Sequence, residues 1–284
     1  KGVRLGYLPK RKELEQESRH LGLDFSRSKE TEGLDMLAGL LEEHVDWELL
    51  LSTIGLPLPA AAVEEKSVLS EPGKLHISVA RNEESFSFLY AEHLDILRRM
   101  GTVTFFNPEQ DRAIPQETDL LYLPGGYPEL YAGQLSANRS MLASVRRAVE
   151  RGLPTVAECG GFLYLGQSLE DANGERWPMA GVLPGQGFRV GRLVRFGYAA
   201  LTAHADSMLF RAGERLPVHE FHHWDSTDNG TGFTAAKPNG KQWDCGFANE
   251  HFYAGFPHLY WAGTALPRRF VDAAAHYHQE EQNQ

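Results

Sequence analysis

Between Leu75 and Leu165 the sequence alternates short runs typical of buried β-strands with longer runs typical of helices. Strands separated by helices of this length predict βαβ units, and therefore a mostly parallel sheet with helices on both faces. The predicted fold class is a doubly wound α/β domain. The predicted strands are 75–80, 103–106, 120–123 and 154–157, and the predicted helices are 86–100 and 138–151.

The run from Leu153 to Gly166 carries a predicted strand into Cys159, then into two glycines and an apolar segment of helical character. A strand that turns sharply into a helix points the side chain at the turn toward the helix N-terminus, where free N–H groups favour a thiolate or an oxyanion. Cys159 stands at that turn, and Gly160 allows the backbone to approach a substrate closely. The alternative is a buried structural cysteine, which this stretch alone leaves open.

A cysteine nucleophile requires a base and donors for the oxyanion. Of the 12 histidines, His258 stands between a strand-like stretch and the last predicted helix and is the candidate base. A lone histidine among aromatic residues is more often structural. The glycine pair Gly125-Gly126 follows the predicted strand 120–123, so the N–H groups of Gly126 and Gly160 are the candidate oxyanion donors. A plain turn is the alternative interpretation of this pair.

The 284 residues carry a net charge of −10, which argues against binding to duplex nucleic acid, because such proteins need a basic face. No apolar run reaches membrane-spanning length, and the first residues lack the apolar core of a signal peptide, so we expect a cytoplasmic protein that acts away from membranes. Cys159 and Cys245 are the two cysteines, and both are expected to be free thiols.

Three other features attract attention. His219, His222 and His223 are spaced closely enough to suggest a zinc or copper site, but on a strand His219 and His222 point to opposite faces. We therefore expect no metal site. Glu158 directly precedes Cys159 and is expected to point away from it, as a structural residue or a hydrogen-bond acceptor. Cys245 is expected to be a small core residue.

The segment 57–74 is rich in proline, alanine and charged residues and predicts a linker. Residues 1–56 contain one short predicted strand and a helical pattern over 31–51, which is too little to close a core. This part is therefore predicted to be the C-terminal remnant of a larger α/β domain. The second domain, 75–284, continues after Trp177 as short strand-like pieces and ends in a predicted helix, 267–278.

Four motifs stand out along the chain: Leu123-Pro-Gly-Gly-Tyr-Pro-Glu-Leu-Tyr131, Ala157-Glu-Cys-Gly-Gly-Phe-Leu-Tyr-Leu165, His219-Glu-Phe-His222 and His258-Leu-Tyr-Trp261. Their order resembles that found in cobyrinic acid a,c-diamide synthases. The chain resembles this family over nearly its whole length. Residues 75–284 are similar to a class I glutamine amidotransferase domain, and residues 1–56 to the end of an ATP-binding domain of the dethiobiotin-synthetase type.

The resemblance implies that Cys159 attacks the side-chain amide of L-glutamine, that a thioester forms with release of ammonia, and that His258 acts as the base. The ammonia would amidate the a and c acetate carboxylates of cobyrinic acid, which ATP and Mg2+ activate as acyl phosphates. The chain has no G-x-x-x-x-G-K-[ST] phosphate loop, so the implied partner is an N-terminal synthetase half that binds ATP. The glutaminase half needs no cofactor, and a homodimer is compatible with the resemblance.

At several positions the chain departs from the usual sequences of the proteins that it resembles. Many class I enzymes place a glutamate two residues after the histidine, where this chain has Tyr260, so the third member of a triad is unassigned. The segments Gly197-Tyr-Ala-Ala200 and Ser85-Phe-Ser-Phe-Leu-Tyr90 differ from the usual family sequences, which puts substrate contacts in question. The alternatives are a cobyric acid synthase, which amidates other side chains, a cysteine hydrolase of the DJ-1/PfpI kind, and a catalytically silent binding module.

Overall fold

The structure is a computed structural model that describes residues 4–14, 31–54 and 75–282. The chain divides into two compact units, Lys1–Lys66 and Ser67–Gln284. The predicted linker, 57–74, lies outside the described residues. No described helix is both long enough and apolar enough to cross a membrane.

The first unit is helical in its described part. Its elements are a short 3-10 helix (Lys12–Leu14), α1 (Thr31–His44) and α2 (Trp47–Ile54). The prediction of one continuous helix over 31–51 is wrong, because Val45 leaves the helix and forms a β-bridge with Gly6. Asp46 then starts the second helix, since its carboxylate accepts a 2.9 Å hydrogen bond from the N–H of Leu49. The bridge at Gly6 is what the structure has in place of the predicted N-terminal strand.

The second unit combines three sheets with helices in its described part. Its strands are β1 (Leu75–Ala80), β2 (Gly101–Phe106), β3 (Leu120–Leu123), β4 (Thr155–Glu158), β5 (Ser168–Glu170), β6 (Arg176–Pro178), β7 (Gln186–Arg189), β8 (Arg195–Ala203), β9 (Arg215–His222), β10 (Trp224–Ser226), β11 (Phe233–Ala236), β12 (Gln242–Cys245), β13 (Phe247–Ala248), β14 (Phe252–Gly255) and β15 (His258–Leu259). Its helices are α3 (Ala91–Met100), α4 (Ala132–Ala137), α5 (Arg139–Glu150), α6 (Gly160–Leu165), α7 (Leu266–Gln282) and a 3-10 helix at Pro128–Leu130.

The central sheet has six strands in the order β13-β14-β4-β3-β1-β2. All pairs from β14 to β2 are parallel, and β13 is added antiparallel at the edge. The chain moves outward from β1 to β2 and then crosses to β3 and β4 on the other side of β1. The predicted fold class, a doubly wound and mostly parallel α/β domain, is confirmed.

Alternating side chains of the central strands enter two separate cores. Leu121 and Leu123 pack in the core that also contains residues of α4, α5 and α6, whereas Leu120 and Tyr122 pack with residues of α3 and α7. Both faces of the sheet are therefore covered, which explains why its strands read as continuous apolar runs rather than as alternating ones. Each fully buried leucine of this kind stabilises the fold by about 1.5–3 kcal/mol.

Two smaller sheets contain most of the strand-like pieces after Trp177, and β13 and β14 belong to the central sheet. The orders of the two smaller sheets are β10-β7-β5-β6 and β12-β11-β8-β9-β15. The sequence predicted strands in this region but not their partners, because pairing between distant strands is decided by tertiary packing. The last strand of the five-stranded sheet, β15, pairs antiparallel with β9 and places His258 opposite His219.

The segment 86–90, directly before α3, is held by hydrogen bonds to other parts of the chain and does not form a helix. The predicted helix 86–100 begins only at Ala91. The N–H of Phe86 instead donates a 2.9 Å hydrogen bond to the side-chain oxygen of Asn82, and the N–H of Phe88 donates to the carbonyl of Gly125 at 3.1 Å. These bonds hold the segment in an extended path beside the glycine pair, so Phe88 reaches the carboxyl end of the central sheet.

Candidate active site

Cys159 occupies the turn between β4 and α6. Its backbone has φ +49° and ψ −100°, a conformation that residues other than glycine rarely adopt and that costs about 1–3 kcal/mol. The predicted sharp turn at this cysteine is confirmed. The side chain is 8% exposed, so the thiol is almost fully enclosed.

The two glycines after Cys159 bring the start of α6 against the end of β3. A Cβ atom on Gly161 would lie 2.0 Å from the carbonyl oxygen of Leu123, and one on Gly160 would lie 3.0 Å from the backbone nitrogen of Gly126. Gly160 is the first residue of α6, so its N–H has no partner within the helix. The structure therefore brings the backbone nitrogen of Gly126 close to Gly160, the residue that follows the cysteine.

His258 reaches the same place because β14 is the parallel neighbour of β4. Gly255 at the end of β14 pairs with Glu158 at the end of β4, and His258 follows three residues later. A Cβ on Gly125 would lie 2.7 Å from Cε1 of His258, and the ring of Phe88 packs edge-on against the imidazole with 4.9 Å between centroids. His258 is 5% exposed and is held between these two walls. All five predicted site residues thus lie at one edge of the central sheet.

The electrostatic surroundings of His258 favour its protonated form. Burial alone would lower the pKa of the imidazole, but the contacts with the Cys159 thiol and the Glu158 carboxylate outweigh it and raise the pKa to about 10. The Nδ1 atom lies 3.6 Å from Oε2 of Glu158. A histidine that holds a proton beside a cysteine favours the thiolate, which is the attacking form of the side chain.

Glu158 lies closer to His258 than its position in β4 suggested. Its carboxylate is 1% exposed and accepts hydrogen bonds from the Tyr122 hydroxyl at 2.9 Å and from the N–H of Leu259 at 3.1 Å. The expected role of hydrogen-bond acceptor is confirmed. The carboxylate also lies beside His258, a contact that the sequence did not predict. The alternation of side chains along β4 stops at Cys159, because its backbone leaves the β region. His258 lies on the face of the sheet to which Glu158 points. An acidic residue inside an otherwise apolar buried strand was the sequence signal for this partner.

A second buried histidine lies behind His258. His93 on α3 stacks on Trp261 with 4.5 Å between ring centroids, and its Nε2 accepts a 3.2 Å hydrogen bond from the N–H of Trp261. Burial lowers the pKa of His93 to about 4, so it stays neutral at physiological pH. The aromatic residues near the C-terminal motif were expected to be core, and Trp261 is buried, but Tyr260 is 44% exposed.

The other residues singled out in the sequence have structural surroundings. His222 is buried, with Nδ1 2.6 Å from the carbonyl of Trp224 and Nε2 3.2 Å from Glu220, while His219 lies on the opposite face of β9, as expected. Within the described ranges, no three His, Cys, Asp or Glu side chains are grouped so that they could hold a metal ion. Cys245 is a buried core residue and both cysteines are free thiols, as predicted. Burial raises the pKa of the Cys245 thiol to about 12.

The doubly wound sheet, with a cysteine at the turn after β4 and a histidine after β14, is the fold of class I glutamine amidotransferase domains. The crystal structure of a protein from Thermoplasma acidophilum described as part of a GMP synthase has this fold, with a TM-score of 0.51 and 17% identity over 74% of this chain and 98% of that one. At the level of sequence, residues 76–265 match the CobB/CobQ-like glutamine amidotransferase domain. The chain belongs to that family.

The chain is also similar to curated proteins named cobyrinate a,c-diamide synthase. It is 37% identical to the one from Caldanaerobacter subterraneus subsp. tengcongensis over 96% of this chain, and 36% identical to the one from Salmonella typhimurium over 91% of this chain. The chain spans 61% and 58% of the lengths of these two relatives.

Proposed function

We propose that the chain is the glutamine-hydrolysing part of an amidotransferase that supplies ammonia for an ATP-dependent ligation. The observation that carries the proposal is the enclosed group of Cys159, His258 and two neighbouring glycine N–H groups at the carboxyl ends of adjacent strands. A nucleophile, a proton carrier and oxyanion donors are the parts that amide hydrolysis through a thioester requires. Family membership supports glutamine as the amide donor.

In the first half-reaction, the Cys159 sulfur attacks the side-chain carbonyl carbon of glutamine. The thiol proton resides on His258, and the carbonyl oxygen becomes an oxyanion that the N–H groups of Gly126 and Gly160 stabilise. One such donor contributes about 3–4 kcal/mol of transition-state stabilisation in other acyl-transfer enzymes. As the carbon–nitrogen bond breaks, His258 gives its proton to the departing nitrogen, and ammonia leaves a glutamyl thioester on Cys159.

In the second half-reaction, His258 removes a proton from water while the water oxygen attacks the thioester. The same oxyanion donors stabilise the second tetrahedral intermediate, and its collapse breaks the carbon–sulfur bond. Glutamate leaves and the proton returns to the cysteine–histidine pair. The balance is glutamine plus water giving glutamate plus ammonia, so the chain needs no cofactor for this part.

The ammonia is consumed by a second reaction. We propose that it amidates the a and c acetate carboxylates of cobyrinic acid, because the curated relatives to which the chain is similar carry the name of that activity. An unactivated carboxylate resists attack by ammonia, so ATP and Mg2+ are needed to form an acyl phosphate. The residues of this chain do not fit a phosphate-loop nucleotide site, since the sequence lacks G-x-x-x-x-G-K-[ST]. The ATP-dependent step is therefore assigned to a synthetase half, and the reaction to the cytoplasm, where thiols stay reduced.

The glutaminase proposal is tested with a matched pair of cysteine variants. The chain is incubated with glutamine, glutamate release is measured, and the labelled residue is identified by mass spectrometry after reaction with a glutamine-like diazo-ketone. We expect Cys159→Ala to lose both glutamate release and labelling, and Cys245→Ala to keep both, because Cys245 packs in a different core from Cys159. Peptidase activity without glutamate release would instead favour the cysteine hydrolase, and neither activity would favour a silent binding module.

The ligation is tested by combining the chain with a synthetase half. Cys159→Ser is expected to abolish amidation with glutamine and to leave amidation with added ammonium salt intact, since only the ammonia source is removed. The positions of the new amides, read by tandem mass spectrometry, separate a,c-diamide synthesis from the cobyric acid synthase alternative. Loss of both amidation reactions would contradict the division of labour and assign Cys159 a structural role.

A further inference from the structure

The ring nitrogen Nδ1 of His258 faces the carboxylate of Glu158, a residue to which the sequence patterns of related enzymes give no catalytic role. It lies 3.6 Å from Oε2 of Glu158, and among the described residues it has no hydrogen-bond partner within standard limits. In the described ion pairs, His258 is also the one cationic group beside Glu158. A buried carboxylate requires a compensating charge, and a buried imidazole requires an acceptor for its second nitrogen, so the two needs are met by the same contact.

Glu158 is held rigidly for such a role. Oε2 accepts the hydroxyl hydrogen bond of Tyr122 on β3, and Oε1 accepts the N–H of Leu259, the residue that follows His258. A carboxylate has about four acceptor positions, so these two bonds leave a lone pair free for the imidazole. Because Glu158 bonds to the backbone next to the histidine as well as lying beside its ring, it fixes both the position and the orientation of His258.

The position at which many class I enzymes carry a glutamate has a different environment here. Tyr260, two residues after His258, is partly exposed, and its ring faces Tyr90 and His93, each with 6.0 Å between centroids. Tyr260 has no carboxylate, and the carboxylate beside the histidine belongs instead to Glu158, the residue directly before Cys159.

We propose that Glu158 is the positioning residue that orients His258 and stabilises its imidazolium form, so that the last residue of the nucleophile strand completes a Cys159–His258–Glu158 triad. The inference rests on the proposed glutaminase function. The proton moves from the Cys159 sulfur to Nε2 of His258 and from there to the departing ammonia, while the Glu158 carboxylate accepts the Nδ1–H hydrogen bond throughout. The 3.6 Å separation shortens when that bond forms, as hydrogen bonds in catalytic sites commonly do on substrate binding.

The first test is kinetic and uses Glu158→Gln, Glu158→Asp and the control Tyr122→Phe. Glutamine is the probe, and kcat, KM and the pH profile of kcat/KM are measured for each variant. We expect Glu158→Gln to lower kcat about 100-fold or more with KM changed less than about threefold, because an amide neither holds the imidazolium nor fixes its tautomer. Glu158→Asp should recover part of the loss. Tyr122→Phe should lose less than Glu158→Gln, since it keeps the carboxylate and removes one of the two hydrogen bonds that hold it.

The pH profile separates positioning from a general structural role. The titratable groups that face His258 are Glu158, Cys159, His93 and His219, and removing the carboxylate should move the histidine titration to lower pH. A variant that merely loosened the fold would lower the amplitude of the profile without moving it. An unshifted profile, or a kcat within about threefold in Glu158→Gln, would overturn the proposal.

A second test needs neither activity nor a folded variant. In the unchanged chain, nitrogen-15 NMR of labelled histidine reports which ring nitrogen of His258 carries the proton, and His258→Gln assigns the signal. We expect a proton on Nδ1 and a titration above that of ordinary histidines, whether or not glutamine is hydrolysed. Absence of glutamate release would contradict the proposed function alone, whereas a neutral ring with its proton on Nε2 would contradict the role of Glu158.

Discussion

The backbone N–H of Cys159 donates a 2.8 Å hydrogen bond to the carbonyl oxygen of Gly255. Gly255 ends β14, and His258 follows three residues later, so this bond ties the turn that carries the thiol to the segment that carries the imidazole. The unusual backbone conformation of Cys159 is thereby held from outside the turn. The geometry of the candidate site depends on main-chain bonds between neighbouring strands, and side-chain packing completes it.

The strained backbone of Cys159 predicts an inverted order of stability for two variants. Glycine normally destabilises a protein relative to alanine by about 0.5–1 kcal/mol, but here it relieves a positive φ. We expect Cys159→Gly to have a higher free energy of unfolding than Cys159→Ala, by about 1 kcal/mol, in urea titrations. Ala157→Gly, in the regular part of β4, is the control and should show the usual loss. A Cys159→Ala variant as stable as Cys159→Gly would show that the turn stores no strain.

The pKa of His258 predicts a pH dependence of stability. The folded-state pKa is about 10 and the unfolded value is 6.5, so folding tightens proton binding. This contribution to stability is complete below pH 6.5 and is lost as the pH rises through about 10. We expect the difference in free energy of unfolding between the unchanged chain and His258→Gln to shrink steadily between these two pH values. Denaturant titrations at several pH values measure it, and a difference that does not vary with pH would contradict the prediction.

The close approach of Gly125 to His258 predicts a loss of rate from a single methyl group. In Gly125→Ala the new Cβ would lie 2.7 Å from Cε1 of His258, so the imidazole must shift. We expect kcat for glutamine hydrolysis to fall about 10–100-fold, because small displacements of reacting groups have effects of that size. Gly133→Ala is the control: its Cβ would meet Trp177 at 3.4 Å, an ordinary contact, and α4 should tolerate it. Equal rates in the two variants would place the imidazole outside the chemistry.

The parts of the fold that the sequence predicted are those decided by local patterns. The apolar runs around Leu121 and Val156 identified central strands, since strands buried on both faces contain few polar residues. The turn at Cys159 was predictable because two glycines follow a strand and precede an apolar helix. The ends of elements were less certain, as at Val45, where a β-bridge interrupts a helical pattern that continues in the sequence.

The parts that the sequence did not predict depend on contacts between distant segments. Strand alternation predicted that the side chain of Glu158 points away from Cys159, but alternation says nothing about what packs on the face that Glu158 occupies. β15 and β9 pair so that His258 lies opposite His219. These two strands come from different sequence motifs, and no local pattern predicts that they pair. Resemblance to a family pointed to Cys159 and His258 as candidates. It left the third residue open, because many class I enzymes carry a glutamate two residues after the histidine, where this chain has Tyr260.

The two proposed reacting residues belong to different sheets, since Cys159 follows a strand of the six-stranded sheet and His258 starts a strand of the five-stranded one. They are also ninety-nine positions apart in the sequence. During folding, a contact of such long range forms only after both sheets exist and have docked, because the entropy of closing the intervening loop must be overcome first. A partly folded chain therefore lacks the contact between these two residues, and the proposed reactive thiol is one of the last products of assembly.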